Sequence, residues 1–163
     1  MWYAILGAVL LAGDQILKYW VVTHLAVGES APFLPGFMQL TRLHNYGAAW
    51  SSLSGRTVLL VVFTAVLLAA VALLLIKKVV RHWTGITACT LILSGGIGNI
   101  IDRIVHGYVV DMFDLQLFSY PVFNLADCCV VVGAILGGIY YLFLYEKYDK
   151  KKKEPDHAHD PSD

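Results

Sequence analysis

Residues 57–76 read TVLLVVFTAVLLAAVALLLI, twenty residues without a charge. At about 1.5 Å per residue a helix of that length matches the roughly 30 Å hydrocarbon core of a bilayer. A run so long and so uniformly apolar predicts a transmembrane helix. Outward from it lie three less pure stretches of similar length. Residues 3–22 are interrupted by Asp14 and Lys18, residues 83–101 end at Asp102 and Arg103, and residues 123–145 carry Asn124 and Asp127 near their head. The pattern predicts an all-α membrane protein with four transmembrane helices. A transmembrane barrel is disfavoured, because its strands alternate apolar and polar residues over about ten positions.

Composition agrees. Of 163 residues, 58% are hydrophobic and 15% charged, and the mean hydropathy is +0.65. A soluble domain of this size exposes more charge. The net charge is zero, so nothing favours nucleic acid as a partner. The length suits one domain, read as 1–149, followed by a charged tail, 150–163. The opening segment lacks a positive n-region and a small-x-small site, so it is expected to be a retained span. Cys89, Cys128 and Cys129 all fall inside spans and read as packing residues rather than a disulfide framework. LADC (125–128) is a poor lipobox, far from the N-terminus and with Asp before Cys. Six histidines without partners at ligand spacing give no reason to expect a metal.

Lys77, Lys78 and Arg81 lie between the second and third spans, and Lys147 and Lys150–Lys153 follow the fourth. The two other connections hold only Arg42, Arg56 and Arg103. The positive-inside rule then places both termini in the cytoplasm. With that topology the polar residues of three spans converge on the outer leaflet: Asp14 and Lys18, Asn99 and Asp102, Asn124 and Asp127. Charges within lipid are costly and face a bundle interior or a wet cavity. The outer segment, about 24–55, reads as extended pieces SAPFLPGF and MQLTRLHN and a turn YGAAW. It predicts a small extracytoplasmic β-sheet, with Phe33, Phe37 and Trp50 as interface anchors. Residues 103–121 are expected to form an outer loop carrying Asp111 and Asp114. The glycines of SGGIGN (94–99), with Gly133, Gly137 and Gly138, predict close helix packing rather than a phosphate loop.

The recurring reactive group is the carboxylate: Asp14, Asp102, Asp111, Asp114 and Asp127. Two carboxyls held together share a proton and can activate water while donating to a carbonyl. An acid after span three and one at the head of span four meet that need. Spacing alone leaves Asp102, Asp111 and Asp114 open as the partner of Asp127. Structurally, Asp14 and Lys18 read as an ion pair within span one. Asp102 reads as a helix-end and loop support, and Asp114 as solvated. For Asp127 a structural role is less convincing, since Asn or Ser would fill it at lower cost. A small proton-coupled transporter is the alternative from another class, but span two offers no polar path and the acids stay in the outer half. A membrane scaffold leaves the converging acids unexplained.

Five segments in order, DQILK (14–18), HNYGAAW (44–50), GGIGNIIDR (95–103), VVDMFD (109–114) and FNLAD (123–127), resemble the DxxxK, NxGAA, GxxGNxxDR, VxDF and FNxAD motifs of the bacterial lipoprotein signal peptidases, or signal peptidase II. The resemblance runs through most of the chain. It implies an aspartic endopeptidase that cuts a diacylglyceryl-modified prolipoprotein before its lipidated cysteine. It implies catalytic residues Asp111 and Asp127, with Asp102 supporting the end of span three. Asn45, Gly47, Asn99, Arg103 and Asn124 match positions that line the site or hold substrate backbone, and Asp14 and Lys18 match the polar pair of span one. Arg103 and Asn45 are expected to hold peptide carbonyls. Neither a metal nor an organic cofactor is implied. The expected setting is a monomer in the bacterial cell membrane, its site toward the outer face and in contact with lipid. Met112 departs from the motif, which usually has Phe, and puts in question the packing beside the acids.

Overall fold

The computed structural model describes residues 1–47 and 55–150. Trp50 and the tail beyond residue 150 lie outside the described residues. The elements are α1 (Trp2–His24), β1 (Ser30–Leu34), β2 (Met38–Asn45), α2 (Thr57–Ile76), α3 (Trp83–His106), β3 (Val109–Leu115) and α4 (Leu125–Ile139). One π-helical turn, Tyr140–Leu144, and the short α5, Tyr145–Tyr148, continue α4. Four helices are therefore long and apolar enough to cross a membrane: Trp2–His24, Thr57–Ile76, Trp83–His106 and Leu125–Tyr148.

The expected boundaries shift for identifiable reasons. The third span does not stop at Asp102. That carboxylate pairs with Lys18 inside the bundle, so its charge does not end the helix. The helix runs on to Gly107, whose left-handed φ of 80° lets its N–H reach the Arg103 carbonyl at 3.1 Å. The fourth helix begins two residues later than expected, because Asn124 is its N-cap.

α3 is the centre of the bundle: half of its apolar window is buried, against 17% or less in the other three helices. α1, α2 and α4 all pack on it. Its glycines make that possible. A Cβ at Gly95 would run into the Ala126 backbone carbonyl of α4, and one at Gly98 would sit 2.8 Å from Asp14 Oδ2 of α1. The expectation of close helix packing thus holds at those positions. α2 is apolar on every side and buries only Leu60 and Leu68, as a helix bordered mainly by lipid does.

The sheet has the order β1-β2-β3, both pairs antiparallel. The hairpin of β1 and β2 matches the extended pieces read from the sequence. The stretch 103–121 is not simply a loop. It contains the end of α3 and the whole of β3, which pairs with β2 in the register Leu40↔Phe113, Leu43↔Asp111 and Asn45↔Val109. Residues Val109, Val110, Asp111 and Met112 are all buried. A strand covered on both faces lacks the polar–apolar alternation by which strands are recognised. Val110 and Met112 form a small core with Val21 and Leu25. Met112 is fully buried there, so the departure at this position fills the space beside Asp111.

β3 is then lashed to the head of α4. Phe113 N donates to Phe123 O at 2.7 Å, and Phe123 N donates to Phe113 O at 3.1 Å. Asp111 lies just before this bridge and Asp127 just after it. At the opposite end of the bundle, Asp149 is buried. It accepts from Tyr140 Oη at 2.5 Å and from the backbone N–H groups of Arg81 and His82 at 3.0 and 2.9 Å. That contact closes the α2–α3 connection against the end of α4.

Candidate active site

Asp111 points from β3 into the head of the bundle and is 1% exposed. Its Oδ1 accepts from Asn124 Nδ2 at 2.7 Å and its Oδ2 from Asn45 Nδ2 at 2.9 Å. Asp127 is half-buried in the first turn of α4. Its Oδ1 accepts from Asn99 Nδ2 at 2.8 Å and its Oδ2 from the Asn124 backbone N–H at 3.3 Å. Asn124 Oδ1 in turn accepts from Asp127 N at 2.8 Å, closing a capping box. A carboxylate is favoured there by the helix N-terminus. One residue, Asn124, therefore holds both acids.

The amide orientations are dictated, not free. An amide oxygen must face a donor, which leaves its NH2 for an acceptor. Asn45 Oδ1 takes the Gly47 N–H at 2.9 Å, Asn124 Oδ1 takes the Asp127 N–H, and Asn99 Oδ1 takes Lys18 Nζ at 3.1 Å. Each amide is thereby turned so that its NH2 meets a carboxylate of the pair.

Behind Asn99 lies a buried charge cluster. Lys18 Nζ is 2.9 Å from Asp14 Oδ2 and 3.0 Å from Asp102 Oδ2. Asp14 Oδ1 accepts the Ala126 N–H at 2.9 Å, and Asp102 Oδ2 accepts the Val110 N–H at 3.0 Å. The expected ion pair within α1 is thus a junction of α1, α3, β3 and α4. Asp102 supports β3, as expected of a loop-orienting residue. Arg103 donates through Nη1 to Asn99 O at 3.3 Å and through Nη2 to Gly47 O at 2.9 Å. Asn45 turns its NH2 to Asp111, which takes one of its two hydrogens. Asp114 is not a solvated acid. It is half-buried and accepts from Gln39 Nε2 at 2.7 Å and Thr41 Oγ1 at 3.0 Å across the sheet. Gln15, not singled out from the sequence, joins the cluster, its Nε2 lying 3.1 Å from Asp14 Oδ2 and 3.2 Å from Asp102 Oδ1. The signal was a third polar side chain within an apolar span. Among the described residues no group of three His, Cys, Asp or Glu side chains is placed to hold a metal.

Burial, then the negative charge of Asp127, pushes the Asp111 carboxyl up to about 7, against the hydrogen bonds from Asn45 and Asn124 and the charge of Lys18. The unfolded chain returns it to about 3.9. The folded protein therefore binds this proton more tightly between those values. Its contribution to stability is full below about pH 4 and is lost as pH rises through about 7. We expect the melting temperature of the wild type in detergent to fall between pH 5 and pH 8, and the slope to flatten in Asp111→Asn. Parallel slopes would contradict the account of Asp111.

The network, from Asp14 to Asp127, falls within residues 6–143, the stretch matched by the family described as Signal peptidase (SPase) II. The chain belongs to the signal peptidase II family. Curated relatives are named lipoprotein signal peptidase. The one from Enterococcus faecalis is 41% identical over 151 residues, 93% of each chain. That from Lactococcus lactis subsp. lactis is 38% identical over 143 residues, 88% of this chain and 91% of the relative. A bacterial membrane enzyme solved by the in meso method at 2.3 Å resolution superposes with a TM-score of 0.80 at 34% identity, covering 93% of both chains. Membership in the signal peptidase II family makes the chain a peptidase and leaves the transporter reading without support.

Proposed function

We propose that the chain removes signal peptides from diacylglyceryl-modified prolipoproteins, cutting before the lipidated cysteine, with Asp111 and Asp127 as the water-activating pair. The observation that carries this is the arrangement of those two acids. They come from different elements, are bridged by Asn124, and each faces two fixed N–H donors.

With one proton shared between them, the ionised carboxylate takes a proton from water as the water oxygen attacks the scissile carbonyl carbon. The protonated carboxyl gives its proton to the carbonyl oxygen, forming a neutral gem-diol. Collapse breaks the C–N bond as one gem-diol hydroxyl returns its proton to the carboxylate that had given one up, and the proton gained from water passes to the leaving amine, restoring the pair. Asp111, the more deeply buried, suits the protonated member; Asp127, half-exposed at the head of α4, suits the base. Arg103 has guanidinium donors beyond its bonds to Asn99 and Gly47 and lies beside the pair, placed for a substrate carbonyl.

The charge distribution supports cytoplasmic termini and a site at the outer face of the bacterial cell membrane. Asp127 is then only about 4 Å below the head of α4 at roughly 1.5 Å per residue. A peptide bond beside a cysteine anchored by two acyl chains sits at that depth. The protein is proposed to act as a monomer.

The test is cleavage of a diacylglyceryl-modified prolipoprotein and of its unlipidated precursor by the purified protein. We expect cleavage of the modified form only. Equal cleavage of both would overturn the lipid requirement. No cleavage of either by folded protein would overturn the assigned substrate.

A further inference from the structure

Lys18 Nζ has three hydrogens and three near acceptors: Asp14 Oδ2 at 2.9 Å, Asp102 Oδ2 at 3.0 Å and Asn99 Oδ1 at 3.1 Å. Lys18 is 3% exposed, so its ammonium is shielded from bulk water. An ammonium only donates, so it fixes the oxygen of Asn99 toward itself. The other end of that amide, Nδ2, then faces Asp127 Oδ1 at 2.8 Å. Asn124 Nδ2 also approaches Asn99 Oδ1, at 3.2 Å, which reinforces the same orientation. Without the ammonium, the Asn99 oxygen loses its charged donor, and only the 3.2 Å bond from Asn124 Nδ2 still opposes a turn of the amide. Its oxygen would then face Asp127 Oδ1, an arrangement that is favourable only if Asp127 carries a proton there to donate.

We propose that Lys18 is a positioning residue for the peptidase reaction: through Asn99 it keeps the shared proton of the acid pair on Asp111, leaving Asp127 as the base. The inference rests on the Asp111/Asp127 reading above. The charged groups around this path are Asp14 and Lys18 of α1, Asp102 and Arg103 of α3, Asp111 of β3 and Asp127 of α4. β2 contributes the neutral Asn45. Two carboxylates share the single ammonium of Lys18, so the cluster retains excess negative charge. Lys18 therefore acts on the pair through a directed hydrogen bond more than through net charge. The path is serial, which sets its signature: removing either link has the same consequence, and removing both adds nothing.

The experiment measures kcat and KM against pH for wild type, Lys18→Met, Asn99→Leu and the double variant, with the lipidated precursor. Asn99→Leu removes the amide while leaving the ion pairs of Lys18 in place, so an unmoved limb in it overturns the proposal even if Lys18→Met does not fold. We expect kcat to fall roughly tenfold or more with KM little changed. The acid limb of the kcat profile should move up by about one pH unit in each single variant, because a base that has lost a donor is harder to ionise. The double variant should match the singles. An unmoved limb in Asn99→Leu, or additive shifts in the double variant, would overturn the proposal. Asp111→Asn and Asp127→Asn run in parallel: if either retains turnover, the pair itself is misassigned; if both are inactive and the Asn99→Leu limb is unmoved, only the role of Lys18 fails.

Discussion

Asp127→Asn and Asp111→Asn are each expected to bring cleavage of the lipidated precursor down by at least about 10⁴-fold, the order seen when one member of a unit that acts together is removed. Both proteins are expected to remain folded and inserted. An amide is neither a usable base nor a usable acid at neutral pH, so neither variant can complete the cycle of base and acid. The hydrogen-bond pattern explains why folding survives at some cost. Each carboxylate accepts from two N–H donors. An Asn in its place offers one oxygen and one NH2, so one donor meets another donor. Such a mismatch costs about 1–3 kcal/mol, well short of unfolding a four-helix bundle. At position 111 part of that cost is offset by removing a carboxyl that burial disfavours in its charged form. The measurement is turnover together with a melting temperature for each variant. Near-normal turnover in Asp111→Asn would refute the assignment. The other nearby acids are poor substitutes: Lys18, Gln15 and the Val110 N–H already occupy the oxygens of Asp102, and Lys18, Gln15 and the Ala126 N–H those of Asp14.

The transmembrane helices were legible because their signal is local. Twenty uncharged residues make a span whatever surrounds them. The convergence of the acids at one end of the bundle was legible too, because successive spans alternate in direction. What spacing could not do was choose among Asp102, Asp111 and Asp114. The choice depends on partners far away in sequence: Asp114 is held by Gln39 and Thr41, 75 and 73 residues earlier, and Asp102 by Lys18 of another helix. Only Asp111 is left facing Asp127, and the family resemblance, not the pattern, supplied that. β3 was missed because its burial on both faces hides the period of a strand. The bond from Asn45 to Asp111 was not legible for a related reason: an amide has no preferred face until its oxygen finds a donor, here the Gly47 N–H.

Replacing Asp14 should produce the largest loss of stability among the polar residues of the site. Its carboxylate is 1% exposed and has two fixed duties. Oδ2 pairs with Lys18 at 2.9 Å, and Oδ1 accepts the Ala126 N–H at 2.9 Å. The second duty is a helix cap delivered from another helix. Ala126 lies in the first turn of α4, where N–H groups have no partner within the helix. Gly98 leaves the space for it, since a Cβ there would stand 2.8 Å from Asp14 Oδ2. In Asp14→Ala the Ala126 N–H loses its acceptor, and Lys18 keeps one carboxylate instead of two. Breaking one partner of a buried ion pair costs about 3–5 kcal/mol, which for a chain of this size lowers the melting temperature by roughly 10 °C. Asp14→Asn should be milder, because its oxygen can still cap Ala126 and the space stays filled, although its NH2 then faces the Lys18 ammonium. Activity should fall in step with stability in both variants, with Ala the worse. A folded, fully stable Asp14→Ala protein that had lost cleavage would mean that Asp14 contacts the substrate. Proportional loss, partly recovered in Asp14→Asn, would mean that the carboxylate serves the reaction by holding the head of α4, and with it Asp127, against α1.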